Sequence, residues 1–396
     1  MSLPKYYEFV NTVKIISGSK ALENIPFELE QRGAKRPMLL SDKVLLDIGT
    51  VAKIKNAFPK GGIQFVTMFT EIPPDSSVKI INAIATIYKE NKCDSIVAVG
   101  GGSVIDTAKG LKLVLCQEVD DIMDLMGFNS LVPPKQKIPF IVIPTTSGTG
   151  SEATQVAVIA NPDKGIKMEF IASEILPDVA VLDVRMTETL PPRVTASTGM
   201  DALSHAVEAY SNLQRNPVSS AFATAAIKMI VENIVEAVTN GTNKDARLAM
   251  ANGSLLAGAA FSNSMVGNVH AIGHALGGVC HVPHGDAMCI LLPHCMKYNI
   301  KQCGNYYAEL LLPLAGAEVY ANTLKEERAL KAIQTIIDLQ NLLNSKCGLA
   351  TKIRDTRAEK EQLEDVVPKA MNDGAMVVNP RIMTPEDVLE LLNQAW

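Results

Sequence analysis

The sequence predicts an α/β domain built on a parallel sheet, followed by an all-α domain, with the change between residues 185 and 195. Three observations predict this. Short apolar runs alternate with helix-length stretches through the first half, as strands covered by helices do. One run, SIVAV at 95–99, is apolar along almost its whole length, as befits a strand buried on both faces. Beyond Leu190-Pro191-Pro192 strand-like runs nearly vanish and helical stretches take over.

The strand-like runs are 37–41, 63–68, 95–99, 140–144 and 179–182. Between the second and third lies a helix over 76–91, with Ile80, Ile81, Ile84, Ile87 and Tyr88 at helical spacing. Runs 153–159 and 166–171 flank Asn-Pro-Asp-Lys-Gly, whose turn chemistry predicts a hairpin. In the second half, 201–210, 219–238 and 325–343 read as helices. The two domains are therefore assigned to 1–190 and 191–396. No internal repeat or low-complexity segment breaks this division.

Composition excludes several classes of function. The chain has 396 residues, 47% apolar and 20% charged, enough for a sizeable core in one large or two ordinary domains. A net charge of −5 gives no reason to expect nucleic acid or an anionic membrane as partner. The first ten residues lack the basic start and apolar run of a signal peptide. No run of roughly 18 apolar residues suggests a membrane span. Seven cysteines, odd in number and without a CxxC pair, read as reduced thiols in a cytoplasm, not as disulfides or a cysteine-type zinc site.

Three constellations carry chemistry. Gly100-Gly101-Gly102-Ser103 follows the SIVAV strand and opens a helix through Asp106. Glycines let a phosphate approach the backbone, and a helix start offers free N–H groups. It is not the GxGxxG pattern, and a tight strand-to-helix turn would look the same. Thr145-Thr146-Ser147-Gly148-Thr149-Gly150-Ser151-Glu152 follows the next strand, at the carboxyl end where ligands bind in open α/β sheets. Two such loops at neighbouring strand ends favour a nucleotide over a plain polar loop.

The third constellation is a cluster of histidines. Residues 248–285 contain no Asp, Glu, Lys or Arg, yet hold four of the six histidines. Burying imidazoles without partners is costly. Asp201 and His205 lie four apart on one helix face, His270 and His274 repeat that spacing, and His284 follows. Carboxylate oxygen with imidazole suits a divalent ion such as ferrous iron or zinc. Spacing does not decide whether His270 and His274 are both ligands.

Read together, Gly-Gly-Gly-Ser-Val-Ile-Asp at 100–106, Pro-Thr-Thr-Ser-Gly-Thr-Gly-Ser-Glu at 144–152, Gly-Met-Asp-Ala-Leu-Ser-His at 199–205 and Val-His-Ala-Ile-Gly-His…Pro-His-Gly at 269–285 resemble the iron-containing (group III) alcohol dehydrogenases. Asn379-Pro380-Arg381 adds to the likeness, which runs from about residue 8 to the end. The resemblance implies a Rossmann-like first domain and a helical second one, the architecture shared with dehydroquinate synthase. It implies a metal- and NAD-dependent enzyme, a homodimer or larger homo-oligomer, acting on small primary alcohols, diols or their aldehydes. It assigns the metal, Fe2+ or else Zn2+, to Asp201, His205, His270 and His284. It makes His274 a catalytic neighbour of the metal near the nicotinamide. It gives NAD binding to Asp42, Gly100, Gly101, Gly102, Ser103, Asp106, Thr145, Thr146, Ser147, Thr149, Thr154 and Lys167. Asp42 would accept from the ribose hydroxyls and repel a 2′-phosphate; otherwise it is an ordinary polar strand end. Phe261 matches an aromatic residue of the alcohol pocket in lactaldehyde reductases, or else simply packs. His281 and His294 match no ligand position and read as structural, though His281 sits close enough to the metal motif to touch its ligands. Val104-Ile105 and Ser147 depart from the Pro-His and Ala of many relatives, so subgroup does not decide the substrate. Glycerol dehydrogenase and hydroxyacid-oxoacid transhydrogenase activities belong to the same family. A dehydroquinate synthase-like lyase would need basic residues, which 248–285 lacks. A non-catalytic metal- and nucleotide-binding protein would leave the full set of site residues unused.

Overall fold

The computed structural model describes residues 4–127, 133–163 and 166–396. It divides into two compact units, one spanning Val10–Thr189, the other Leu190–Trp396 with the residues up to Phe9.

The first unit runs β1 (Lys14–Gly18), α1 (Ile25–Gln31), β2 (Pro37–Leu40), α2 (Lys43–Asp47), α3 (Thr50–Asn56), β3 (Thr67–Phe69), α4 (Val78–Glu90), β4 (Ser95–Gly100), α5 (Gly102–Gln117), β5 (Phe140–Pro144), β6 (Val156–Asn161), β7 (Ile166–Ile171) and β8 (Val179–Asp183). Six strands form a parallel sheet in the order β1-β8-β5-β4-β2-β3. From β2 the chain moves outward to β3; from β4 it moves the other way to β5. Right-handed crossovers then place α1 and α3 on one face and α4 and α5 on the other. The packing agrees. Leu22, Ile25, Leu29, Val51 and Ile54 meet Leu39, Val97, Val99, Ile141 and Ile143 in one cluster, while α4 packs on α5. The loops after β2 and β4 thus leave toward opposite faces. That reversal opens a crevice at the carboxyl ends of the strands.

Three details differ from the sequence reading. β1 was not expected: it is short, half exposed and polar at Lys14 and Ser17, and its strand form comes from pairing with β8. The run at 63–68 becomes a strand only at Thr67–Phe69, because Ile63 and Phe65 pack from a loop against the core. The hairpin begins at Val156, since Ser151–Ala153 forms a 3-10 turn. Its predicted turn includes Lys164 and Gly165, which lie outside the described residues.

The second unit consists of α6 (Pro192–Ser211), α7 (Pro217–Thr239), α8 (Lys244–Phe261), α9 (Asn268–Cys280), α10 (His284–Asn322), α11 (Arg328–Cys347), α12 (Leu363–Met371) and α13 (Pro385–Ala395). Pro192 opens α6, where its missing N–H costs nothing. Small residues let the central helices close together: a Cβ on Gly199 would stand 2.7 Å from both Ile234 Cδ1 and Met250 Cε. Among the described residues α7 is the one helix long and apolar enough to cross a membrane. It carries Lys228, Glu232 and Glu236, and packs against α6 and α8. All seven cysteines are free thiols.

Arg247 locks the start of this unit. Its guanidinium, in a residue 2% exposed, donates to Gly241 O (2.9 Å), Thr195 Oγ1 (2.6 Å) and Leu190 O (3.0 Å). Arg247→Ala would leave those acceptors unpaired and open a void. We expect a loss of about 2–4 kcal/mol, read as a lowered midpoint in thermal unfolding followed by circular dichroism.

Candidate metal centre and nucleotide loops

Three helices of the second unit bring their side chains to one point. Asp201 and His205 project from successive turns of α6, His270 from the first turn of α9, and His284 from the first residue of α10. One donor atom from each lies within 4.8 Å of the other three. Asp201 Oδ1 is 3.2 Å from His284 Nε2, 3.7 Å from His270 Nε2 and 3.8 Å from His205 Nδ1. Asp201 Oδ1, His205 Nδ1 and His270 Nε2 are buried and have no hydrogen-bond partner among the described residues. Polar atoms so placed are normally satisfied. One carboxylate oxygen and three imidazole nitrogens around a common centre fit a divalent ion of the iron or zinc type.

Electrostatics point the same way. Burial pushes His205 down to about 3 and also lowers His284, so both rings are neutral donors at pH 7. Asp201 is held well below the usual carboxylate range, against the pull of burial, by the imidazoles around it. Burial opposes a charge on His270 as well, but Glu208 and Asp201 outweigh it and raise that pKa to about 9.

Surrounding residues aim the donors. Glu208 Oε2 binds His270 Nδ1, and Glu208 Oε1 accepts from Val269 N–H at 2.8 Å, so one carboxylate both fixes the ring and holds the start of α9. Asn379 Oδ1 accepts from Asn268 N–H (3.3 Å) and Asn299 Nδ2 (3.0 Å), which ties the Asn-Pro-Arg segment to the same turn. Phe261 stacks on His205, centroids 4.3 Å apart and planes at 15°. Gly285 is required: a Cβ there would meet Ser197 O, a backbone atom of α6, at 2.5 Å. That close approach seats His284 over Asp201.

His274 stands apart from the four. Its ring stacks on His284 (5.4 Å, 18°), and its Nδ1 is 2.9 Å from Asp373 Oδ2. The equal spacings on α6 and α9 thus conceal different surroundings. His281 is exposed in left-handed backbone at the end of α9 (φ 54°) and makes no hydrogen bond to the four. His294 is partly buried in α10, and burial lowers it to about 4.

Of the residues expected at a nucleotide, Asp42, Gly100–Ser103 and Thr145–Thr149 lie at or just beyond the carboxyl ends of β2, β4 and β5. Asp42 follows β2 and caps α2, Oδ1 accepting from Leu45 N–H at 2.8 Å. Gly100 ends β4, and α5 starts at Gly102 with no side-chain cap. A Cβ on Gly102 would meet Thr149 Cγ2 at 2.9 Å, so the two loops touch. Thr145 N–H donates to Gly100 O (3.0 Å), Thr146 lies beside Gly101, and Ser147 is nearly buried. Ser103 Oγ donates to Pro74 O. Asp106 and Thr154 are engaged within the protein. Asp106 accepts from Ser151 Oγ (2.7 Å) and Val158 N–H (3.0 Å), and Thr154 is buried against Lys109. Both brace the loops from beneath. Lys167 forms an exposed ion pair with Asp75 at 2.8 Å.

Both halves of the chain match models of one family. Residues 12–184 match "Iron-containing alcohol dehydrogenase" and 195–396 match "Fe-containing alcohol dehydrogenase family, C-terminal". The chain belongs to the iron-containing alcohol dehydrogenase family. It is an oxidoreductase. It is 33% identical to an NAD-dependent methanol dehydrogenase of Bacillus methanolicus over 98% of this chain and 99% of that one. It is 33% identical to a 1,3-propanediol dehydrogenase of Klebsiella pneumoniae over 96% of each chain. The crystal structure of a 1,3-propanediol oxidoreductase superposes with a TM-score of 0.92 at 31% identity, covering 99% of this chain and 100% of that one.

Sequence reasoning passed over three residues. Glu208 lies two helical turns beyond Asp201, on the same face, and could have been found by that spacing. Lys109 follows Asp106 by one turn; it is fully buried, donates to Ser151 Oγ (2.9 Å), Thr154 Oγ1 (2.7 Å) and Val156 O (2.8 Å), and burial lowers it to about 8. Asp373 is 99 residues from His274 and carries no local signal. For this iron-containing dehydrogenase, Glu208→Ala should free the His270 ring and weaken metal binding about 10- to 100-fold. Competition against a chelator of known affinity measures it.

Proposed function

We propose that this enzyme interconverts small primary alcohols or diols with their aldehydes, using NAD(H), with Asp201, His205, His270 and His284 as its metal ligands. The observation that carries the reading is the meeting of unpartnered Asp201, His205 and His270 atoms at one buried point beside Phe261. Bound there, ferrous iron or zinc supplies Lewis acidity toward an alcohol or carbonyl oxygen, and NAD supplies the hydride acceptor.

The chain's own residues do the rest. The uncapped start of α5 and the Thr145–Thr149 loop cradle the cofactor's phosphates and ribose. Asp42 keeps Oδ2 free beyond its capping bond, so it can accept from ribose hydroxyls. His274, one-third exposed, takes the hydroxyl proton at Nε2. Phe261 walls the alcohol site, and the absence of cations from 248–285 leaves a neutral, compact substrate of roughly two to four carbons as the best fit. The relatives named for methanol and 1,3-propanediol support that size. The free thiols suit a reducing cytoplasm.

The test is a panel of small alcohols and aldehydes with NAD(H). We expect turnover to vanish on exhaustive chelation and return with ferrous iron, while circular dichroism shows the fold retained. Full activity in protein shown metal-free by elemental analysis would end the metal reading. A hydroxy acid or sugar phosphate with higher kcat/KM than every short neutral substrate would end the substrate reading.

Asp42→Gly should shift the kcat/KM ratio toward NADP by about tenfold, near 1.4 kcal/mol, at a capping cost of only a few tenths. Steady-state kinetics with both cofactors decide it; a wild-type preference for NADP would contradict it.

A further inference from the structure

We infer that Asp373 is a positioning residue for proton transfer: it holds His274 in the tautomer whose Nε2 is free to accept. The inference rests on the proposed role of His274 and adds to it the group that enforces that role.

Asp373 follows α12, which packs on α9, the helix of His274. Its two oxygens have separate tasks. Oδ1 accepts from Ala375 N–H at 2.9 Å, capping the short 3-10 turn Gly374–Val378. Oδ2 faces His274 Nδ1 at 2.9 Å. An ionised carboxylate only accepts, so Nδ1 must carry the hydrogen and Nε2 must hold the lone pair. The Asp373 side chain is 15% exposed against 34% for His274, so the carboxylate is the more shielded partner. The His274 ring also stacks on His284, centroids 5.4 Å apart, while its Nδ1 faces Asp373.

The same geometry makes Asp373→Asn an informative change. Ala375 N–H still requires an oxygen at the Oδ1 position. The amide therefore keeps its oxygen there and points its NH2 at His274. Nδ1 is then forced to accept, and the hydrogen moves to Nε2. Size and backbone are unchanged, so folding and metal binding are preserved.

The experiment compares wild type, Asp373→Asn and His274→Gln, each reloaded with zinc and labelled with 15N-histidine. NMR reads the tautomer of His274, whose signal is assigned by its loss in His274→Gln. Elemental analysis reads the metal, and steady-state kinetics read kcat and the KM for NAD. We expect the Nδ1–H tautomer in wild type and Nε2–H in Asp373→Asn. We expect kcat to fall about 10- to 100-fold in Asp373→Asn, with zinc content and KM for NAD unchanged. An unchanged tautomer in Asp373→Asn overturns the inference. So does a switched tautomer with normal kcat where His274→Gln is slow. If His274→Gln is itself as fast as wild type, the proton role of His274 fails and the inference falls with it.

Discussion

The helical unit is organised around a point where Asp201, His205 and His270 each bury a polar atom that no described residue satisfies. Leaving such atoms unpaired costs free energy that a small helical core would avoid by placing apolar residues there. The chain instead arranges its tightest packing to hold them. Gly285 presses α10 onto α6, Glu208 grips both the ring of His270 and the turn that carries it, and Asn379 pins that turn from the far end of the sequence. Stability is given up at the centre and recovered in the shell.

The α/β unit applies a different constraint to a different ligand. Reversal of strand order between β2 and β4 sends their following loops apart, and the glycine- and threonine-rich loops after β4 and β5 lie at that opening. Their support is buried and charged. Lys109, wholly enclosed, ties Ser151, Thr154 and the start of β6 to α5, with Asp106 holding Ser151 from the other side. A buried ammonium is tolerated because three acceptors surround it. It fixes the loops more firmly than the glycines and threonines at their tips could do alone.

Paired carboxylate–imidazole contacts recur at the centre with different consequences. Glu208 on His270 and Asp373 on His274 both bind Nδ1 and leave Nε2 outward. In the first case Nε2 lies within the four-residue cluster. In the second it lies outside, on a ring that is one-third exposed. One local device thus serves a buried donor and an accessible one, according to where α9 places each turn.

Local chemistry was legible in the sequence. Apolar runs gave five strands of the sheet, helical spacing gave α4, α7, α11 and much of α6, and the charge-free stretch at 248–285 marked two of the four clustered residues, His270 and His284, before any contact was known. These signals are read within a few residues, where periodicity, turn chemistry and composition act. β1 was not legible, because its strand form depends on β8 more than 160 residues away. Nor was the difference between His270 and His274, which share one spacing and are separated only by what α6, α10 and α12 bring to each. Asp106 and Thr154 carried the same signal as residues of the loop tips, and their bonds to Ser151 and Lys109 appear only in the folded chain. The sequence by itself determined which residue types were available and on which element each would lie. Tertiary packing decided which of them meet, because partners far apart in the chain are chosen by the closing of helices upon one another, and no local pattern encodes that distance.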